Sequence, residues 1–408
     1  MHMSPPPFRP RYELPAVIAT VCGFAFSAGL LYPTVALMLE ARGVAEDMIG
    51  LNTAMVGCGV MVSAGLLPRL TERHGGWPML FVGAGGAILV LAAMSLAYEY
   101  WAWLALRFLL GIFINGLYVI GEAWVNAIAG EEKRGRTIAI YTTVMGAAFA
   151  AGPALVPVVG IADSTPFYLV MVVIAASVAP VLGFRRIDPL RGETARGGAS
   201  QARFGPVLRG AAVMLAAVLA FGLMDGTTLG LMPIYALALG LEGEAASWPL
   251  TVMVAGSVAL QYPMGWLADR WGPRQVLPAC AAVCAAGGFL LPALEPNSLP
   301  FFATLVIWGG ACFAIFTVSL MLVGRRFRGP ALSTASAALT MLWGLGAVVG
   351  PWGIGAAMKA SGPHAMPILL AVVFVILTVG ALLFRAHLPT KAEARATHRA
   401  AGHADAAQ

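Results

Sequence analysis

Apolar residues run through this chain in long blocks, broken by short clusters of charge, glycine and proline. An α-helix needs about 20 mostly apolar residues to cross a hydrocarbon core. Runs of that kind fall at 14–39, 47–68, 77–97, 101–127, 137–160, 166–184, 209–238, 247–268, 274–294, 299–323, 331–357 and 365–385. The pattern predicts an all-α, polytopic membrane protein with twelve transmembrane helices. The first run is too long for the apolar core of a cleaved signal and reads as a span. The only long break between spans, 185–208, is rich in Gly and Arg and lacks periodicity. It reads as a flexible linker between two six-helix halves, 1–184 and 209–385, with a charged tail over 386–408.

Charge distribution orients the spans. Basic residues concentrate in cytoplasmic loops. With the N-terminus placed inside, 22 of the 25 basic residues fall on the cytoplasmic side; Arg42 and Lys359 fall outside, and Arg107 within the membrane. Both termini and the linker are then cytoplasmic, and the expected location is the cytoplasmic (inner) membrane. Composition agrees: 59% of residues are hydrophobic and only 11% charged, against roughly 25% charged in soluble domains. The net charge of +6 follows from topology and implies no nucleic-acid partner. Five cysteines, Cys22, Cys58, Cys280, Cys284 and Cys312, lie in apolar runs without metal-ligand spacing and read as small packing residues.

The chain repeats itself. Glu72-Arg73-His74-Gly75 recurs 197 residues on as Asp269-Arg270-Trp271-Gly272. Gly43 recurs as Gly240 at the same offset, and Gly152-Pro153 as Gly350-Pro351 one residue further. Concordant landmarks in different elements indicate a duplicated six-helix unit, a common plan of transporters. These same residues resemble the major facilitator superfamily over nearly the whole length. Its signature G-x-L-a-D-R-x-G-R-[RK] is approached by Gly265-Trp266-Leu267-Ala268-Asp269-Arg270-Trp271-Gly272-Pro273-Arg274, in the second half. The first-half copy, Pro68 to Trp77, is degenerate, with Pro for Gly and Glu for Asp. Arg107 and Gly111 match the family's R-x-x-x-G. Gly346 to Pro351 matches the antiporter motif G-x-x-x-G-P, and Ala148 to Pro153 matches it in part. The resemblance, closest to bacterial drug:proton antiporter-like members, implies alternating access. It implies a cytoplasmic gate at Glu72, Arg73, Asp269, Arg270 and Arg274, with Gly152, Pro153, Gly350 and Pro351 as kink points. On physical grounds those charges also serve as loop anchors, and those Gly-Pro pairs as packing positions.

Ionisable residues inside spans are costly and are functional candidates by default. Three stand out: Arg107 and Glu122 in the fourth span and Asp225 in the seventh. Arg107, Gly111, Asn115, Tyr118 and Glu122 are spaced 4, 4, 3 and 4, which places them on one stripe of the fourth helix. That stripe faces a cavity or other helices, because lipid does not tolerate it. The seventh span repeats the idea with Asp225, Thr228, Met232 and Tyr235; the eighth offers Met253, Ser257 and Gln261; the tenth offers Trp308, Cys312, Ile315 and Ser319, which also suit core packing. No histidine lies in a span, so proton coupling falls to the carboxylates Asp225 and Glu122. Glu122 also has loop arginines nearby as partners, and Arg107 has Asp225.

The sequence contains no phosphate-binding loop, no HExxH, no GxSxG and no metal-spaced Cys/His cluster, so neither an enzyme nor an ATP-driven pump is expected. The expected function is secondary transport of a small amphipathic solute by a monomer without cofactors, with proton-coupled efflux as the first direction. Two alternatives stand beside it. One is a selective importer of a small anionic metabolite held by Arg107. The other is a lipid-handling or sensor protein on the same fold.

Overall fold

A computed structural model of the chain describes residues 10–128, 134–184, 204–327 and 329–384. The described residues contain twelve α-helices and no strand. They are α1 (Pro10–Glu40), α2 (Glu46–His74), α3 (Gly76–Leu96), α4 (Tyr100–Ile128), α5 (Arg134–Val159), α6 (Thr165–Val178), α7 (Phe204–Ala238), α8 (Trp248–Trp271), α9 (Pro273–Leu290), α10 (Leu299–Arg326), α11 (Gly329–Ser361) and α12 (Ala365–Leu383). Twelve stretches are long and apolar enough to cross a membrane, the sixth formed by α6 together with the 3-10 turn that continues it to Gly183. Large apolar side chains such as Leu89, Leu96, Val158, Ile376 and Leu383 stand exposed on them, as lipid-facing surfaces require and soluble surfaces avoid. The chain is a multi-pass membrane protein. Of the expected linker, 185–203 lies outside the described residues, whereas 204–208 forms the start of α7. The tail, 386–408, also lies outside them.

Observed helices run past the expected spans where the sequence turns polar. α2 continues to His74, α8 to Trp271 and α10 to Arg326. Hydropathy marks where the hydrocarbon ends, but the backbone ladder continues beyond it. Basic residues in the last turns, Arg73, His74, Arg270, Arg325 and Arg326, complement the C-terminal ends of the helix dipoles. These are the basic ends of the helices, and the opposite ends are the distal ends.

The duplication reaches the backbone. Gly75 and Gly272 have φ of 91° and 90°. Each N–H caps the preceding helix, donating to Thr71 O at 2.8 Å and Ala268 O at 3.0 Å. Gly43 and Gly240 have φ of 74° and 91°, with N–H groups donating to Glu40 O at 2.7 Å and Leu237 O at 2.9 Å. A side chain is disfavoured in this left-handed region, so both copies retain glycine.

By contact the chain divides into two compact units, and the division passes through α7 and α11. Unit 1 comprises the described part of Met1–Gly198 with Gly226–Thr251 and Val348–Pro363; unit 2 comprises the described parts of Ala199–Asp225, Val252–Ala347 and His364–Gln408. In unit 1, α1 packs on α4, α5 and α6, while α4 packs on α2 and α3. α1 and α5 cross backbone to backbone, since a Cβ on Gly152 would overlap Gly29 and Leu30. α2 meets the distal part of α11 in the same way, with the Pro351 carbonyl over Gly50. In unit 2, α9 packs on α10 and α12, and the first part of α7 meets α11 where Gly222 lies under Trp343. Both α5 and α11 remain helical through their Gly-Pro pairs.

The α1–α5 crossing yields a stability prediction. Gly152→Leu should lower stability by about 1–3 kcal/mol through overpacking. Gly65, with open space at its Cβ position, should accept Ala at no loss. Thermal unfolding in detergent measures both, and a Gly152→Leu protein as stable as the parent contradicts the crossing.

Candidate functional site

The polar stripe of α4 lies in unit 1 and divides into three parts. Arg107 is only 2% exposed, with its guanidinium carbon 5.2 Å from the Tyr32 ring centre. Its Nε has no hydrogen-bond partner, and no described carboxylate of unit 1 pairs with it. One turn on, Gly111 packs against the Val56 backbone of α2. Asn115 then donates from Nδ2 to Ser63 Oγ at 2.8 Å. This buried bond ties α4 to α2 and accounts for Asn115 without a cavity. Toward the basic end, Tyr118 stands beside Glu122, and the Tyr118 ring meets that of Phe24 tilted by 33°, with centroids 5.2 Å apart. Tyr141 of α5 stands near the Glu122 charge, with its own hydroxyl buried and without a partner among the described residues. The loop arginines expected near Glu122 lie in 133–136, outside the described side chains. At 1.5 Å per residue, Arg107 lies about 10 Å along α4 from Tyr100 and Glu122 about 9 Å before Ile128.

Asp225 of α7 is half-buried in unit 2 and accepts from Trp343 Nε1 at 3.3 Å. The next three residues of the expected α7 face, Thr228, Met232 and Tyr235, belong to unit 1 and are fully buried. In this structure they are packed interior rather than open wall. Trp308 is likewise fully buried and donates from Nε1 to the Cys284 carbonyl at 2.9 Å, bracing α10 against α9. Ser257 donates to the Val254 carbonyl of its own helix at 2.7 Å. Gln261 lines a small depression with Met264, Phe313 and Thr317.

At the basic ends, Asp269 lies 3.9 Å from Arg325 Nη2, joining the ends of α8 and α10. Both groups are at least partly exposed, so the pair contributes little to stability. Arg270 sits over the Trp266 ring at 5.3 Å, and Arg274 Nε is buried without a partner among the described residues. Glu72 and Arg73 form no ion pair among the described residues. The strongest charge contact lies at the distal ends. Lys359 Nζ donates to both carboxylate oxygens of Asp47, at 3.1 and 3.0 Å. Three contacts join α2 to second-half helices beside it: Glu46 against Gly355, Gly50 against Pro351, and Thr53 against Gly230 of α7. Sequence reasoning missed this seam and also Asn52, Trp343 and Tyr141. An isolated Asn in an apolar span was the available signal for Asn52; nothing in the sequence pairs positions 47 and 359. Among the described residues no group of three His, Cys, Asp or Glu is placed to hold a metal.

Residues 17–246 and 214–406 each match the Major Facilitator Superfamily. The chain belongs to that superfamily. The two overlapping matches cover both copies of the repeat. The uncharacterized MFS-type transporter YfkF of Bacillus subtilis (strain 168) is 25% identical over 348 residues, 84% of this chain and 87% of its own length. The uncharacterized MFS-type transporter YcaD of Escherichia coli O6:K15:H31 is 24% identical over 334 residues, 81% of this chain and 84% of its own. Two crystal structures of nucleoside transporter NupG, one of them a mutant, superpose with TM-scores of 0.78 and 0.72 at 12% and 14% identity. Both cover 91% of this chain, and 99% and 98% of their own. At such identity the likeness speaks for the fold. This superfamily member is a secondary transporter and not an enzyme.

The Asn115 geometry predicts a packing role. Asn115→Leu should lower stability by about 1 kcal/mol, the worth of one buried hydrogen bond. Unfolding as late as the parent's contradicts Asn115 as the tie between α2 and α4.

Proposed function

We propose that this chain is a proton-coupled exporter of small amphipathic solutes, working by alternating access as a monomer in the cytoplasmic membrane with both termini inside. The observation that carries the reading is the seam within unit 1. Distal segments of α7 and α11, encoded in the second half, pack on α2 of the first half, while the preceding parts of both helices belong to unit 2. Such a division suits helices that rock about their middles. The distal seam is then the outer gate, closed here by Lys359 and Asp47. Asp269 with Arg325, together with Glu72, Arg73, Arg270 and Arg274, forms the inner gate, made and broken in antiphase.

Proton coupling falls to Asp225, with Glu122 second. Each is a membrane-embedded carboxylate with an aromatic donor group beside it: Trp343 bonds Asp225, and Tyr118 neighbours Glu122. Desolvation opposes its charge and hydrogen bonding supports it. A balance of that kind is tipped by solute arriving or leaving. The Gly-Pro motifs favour export. One observation favours the opposite direction: among the described residues of unit 1 no carboxylate pairs with Arg107, as an importer of an anionic metabolite requires.

Host growth and proteoliposomes test these readings. Expression should protect a drug-sensitive host against several unrelated amphipathic compounds; growth on one scarce anionic nutrient supports the importer instead. In proteoliposomes holding a pH-sensitive dye, added solute should drive proton movement, and Asp225→Asn should abolish it. Proton movement that survives Asp225→Asn and disappears in Glu122→Gln transfers the role to Glu122. Survival in both variants contradicts carboxylate coupling.

A further inference from the structure

We propose that Arg107 and Asn52 form an oxyanion subsite, which takes the carboxylate or phosphate end of an amphipathic solute. The inference rests on the transport reading above and narrows its substrate class.

The register of α2 on α4 brings the two residues together. These helices run parallel. Tyr100 donates to the Met48 carbonyl at 2.8 Å, Gly111 packs on Val56, and Asn115 bonds Ser63 at 2.8 Å. On α2, Asn52, Val56, Gly59 and Ser63 are spaced 4, 3 and 4, a single helical face. On α4, Arg107, Gly111 and Asn115 are spaced 4 and 4 and form the facing stripe. Val56 meets Gly111, and one turn from that contact toward the distal ends lie Asn52 on α2 and Arg107 on α4.

Neither side chain is satisfied. Asn52 is 1% exposed, with no partner for Nδ2 or Oδ1, and Arg107 Nε also has none. A buried polar group left unmade costs about 1–3 kcal/mol, more when charged, and a membrane core makes the charge dearer still. Two such donor groups, one of them cationic, call for a partner that accepts hydrogen bonds and carries negative charge. A carboxylate or phosphate does both, and the planar guanidinium matches either. Asn52 Oδ1 remains for a ligand hydroxyl or a water. The Tyr32 ring, already beside Arg107, offers an apolar face to the solute body. Access is built in. Gly50 and Thr53, either side of Asn52 on α2, carry the contacts with Pro351 and Gly230, so parting that seam frees the helix segment that bears Asn52.

Calorimetry on the purified full chain in detergent tests the site with phenylacetate, phenylacetamide, phenethylammonium and inorganic phosphate. An oxyanion should bind while the amide and the ammonium do not; phenylacetate tighter than phosphate identifies a carboxylate, and the reverse a phosphate. Arg107→Gln should weaken binding by about tenfold or more, as loss of a charge-assisted bond implies. Asn52→Leu, close in volume and so able to keep the fold, should weaken it by about three- to tenfold. The proposal is overturned if the amide or the ammonium binds as well as the anion, if folded variants bind like the parent, or if no anion binds. Solute-driven proton movement without anion preference overturns this site and leaves the transport reading intact. Anion binding in a protein that moves nothing does the reverse.

Discussion

Two helices touch backbone to backbone only where neither carries a side chain in the way, and the distal seam depends on one such contact. The Pro351 carbonyl of α11 lies over Gly50 of α2, where a Cβ has no room. That approach draws Gly355 onto Glu46 and brings Lys359 within 3.0 Å of Asp47. Dispersion falls off steeply with separation, so a contact of this kind is close to all or nothing. A seam that is fully made or fully broken suits a transporter better than one that yields gradually.

Charge inside the membrane imposes the second constraint. Each of the three ionisable residues singled out in the spans has an aromatic neighbour: Tyr32 for Arg107, Tyr118 for Glu122 and Trp343 for Asp225. A full ion pair locks two charges together, and breaking a buried one costs several kcal/mol. Aromatic rings, phenols and indoles stabilise a charge more weakly. A charge held in that way changes partner at less cost than one in an ion pair.

Much of the fold was legible in the sequence, because membrane burial writes itself in runs of about 20 apolar residues. α3, α4, α10 and α12 begin or end within two residues of their expected bounds. The overruns at the ends of α2, α8 and α10 arise where charged residues extend a helix beyond the hydrocarbon, whereas α6 stops six residues short at Val178, where a 3-10 turn over Ala179–Phe184 takes over, and α7 starts five residues early. Gly75 and Gly272 announced the repeat because their left-handed backbone leaves little choice of residue. The site was far less legible. Helical spacing marks the side of a helix that avoids lipid, and that side serves packing as readily as a cavity. Thr228, Met232, Tyr235 and Trp308 share the spacing of a wall and are buried as interior. Asn52 escaped notice because its meaning lies in the register of α2 on α4, and Lys359 because its partner is 312 residues away. Distant pairings of this sort leave no periodic trace.

The central claim is that the distal seam opens in every cycle. Asp47→Cys and Lys359→Cys, introduced where the five native cysteines are replaced, place two thiols across it. A short bis-methanethiosulfonate bridge between them should stop solute-driven proton movement in proteoliposomes, and cleaving the bridge with reductant should restore it. A bridged protein that carries protons as fast as the unbridged one contradicts the account.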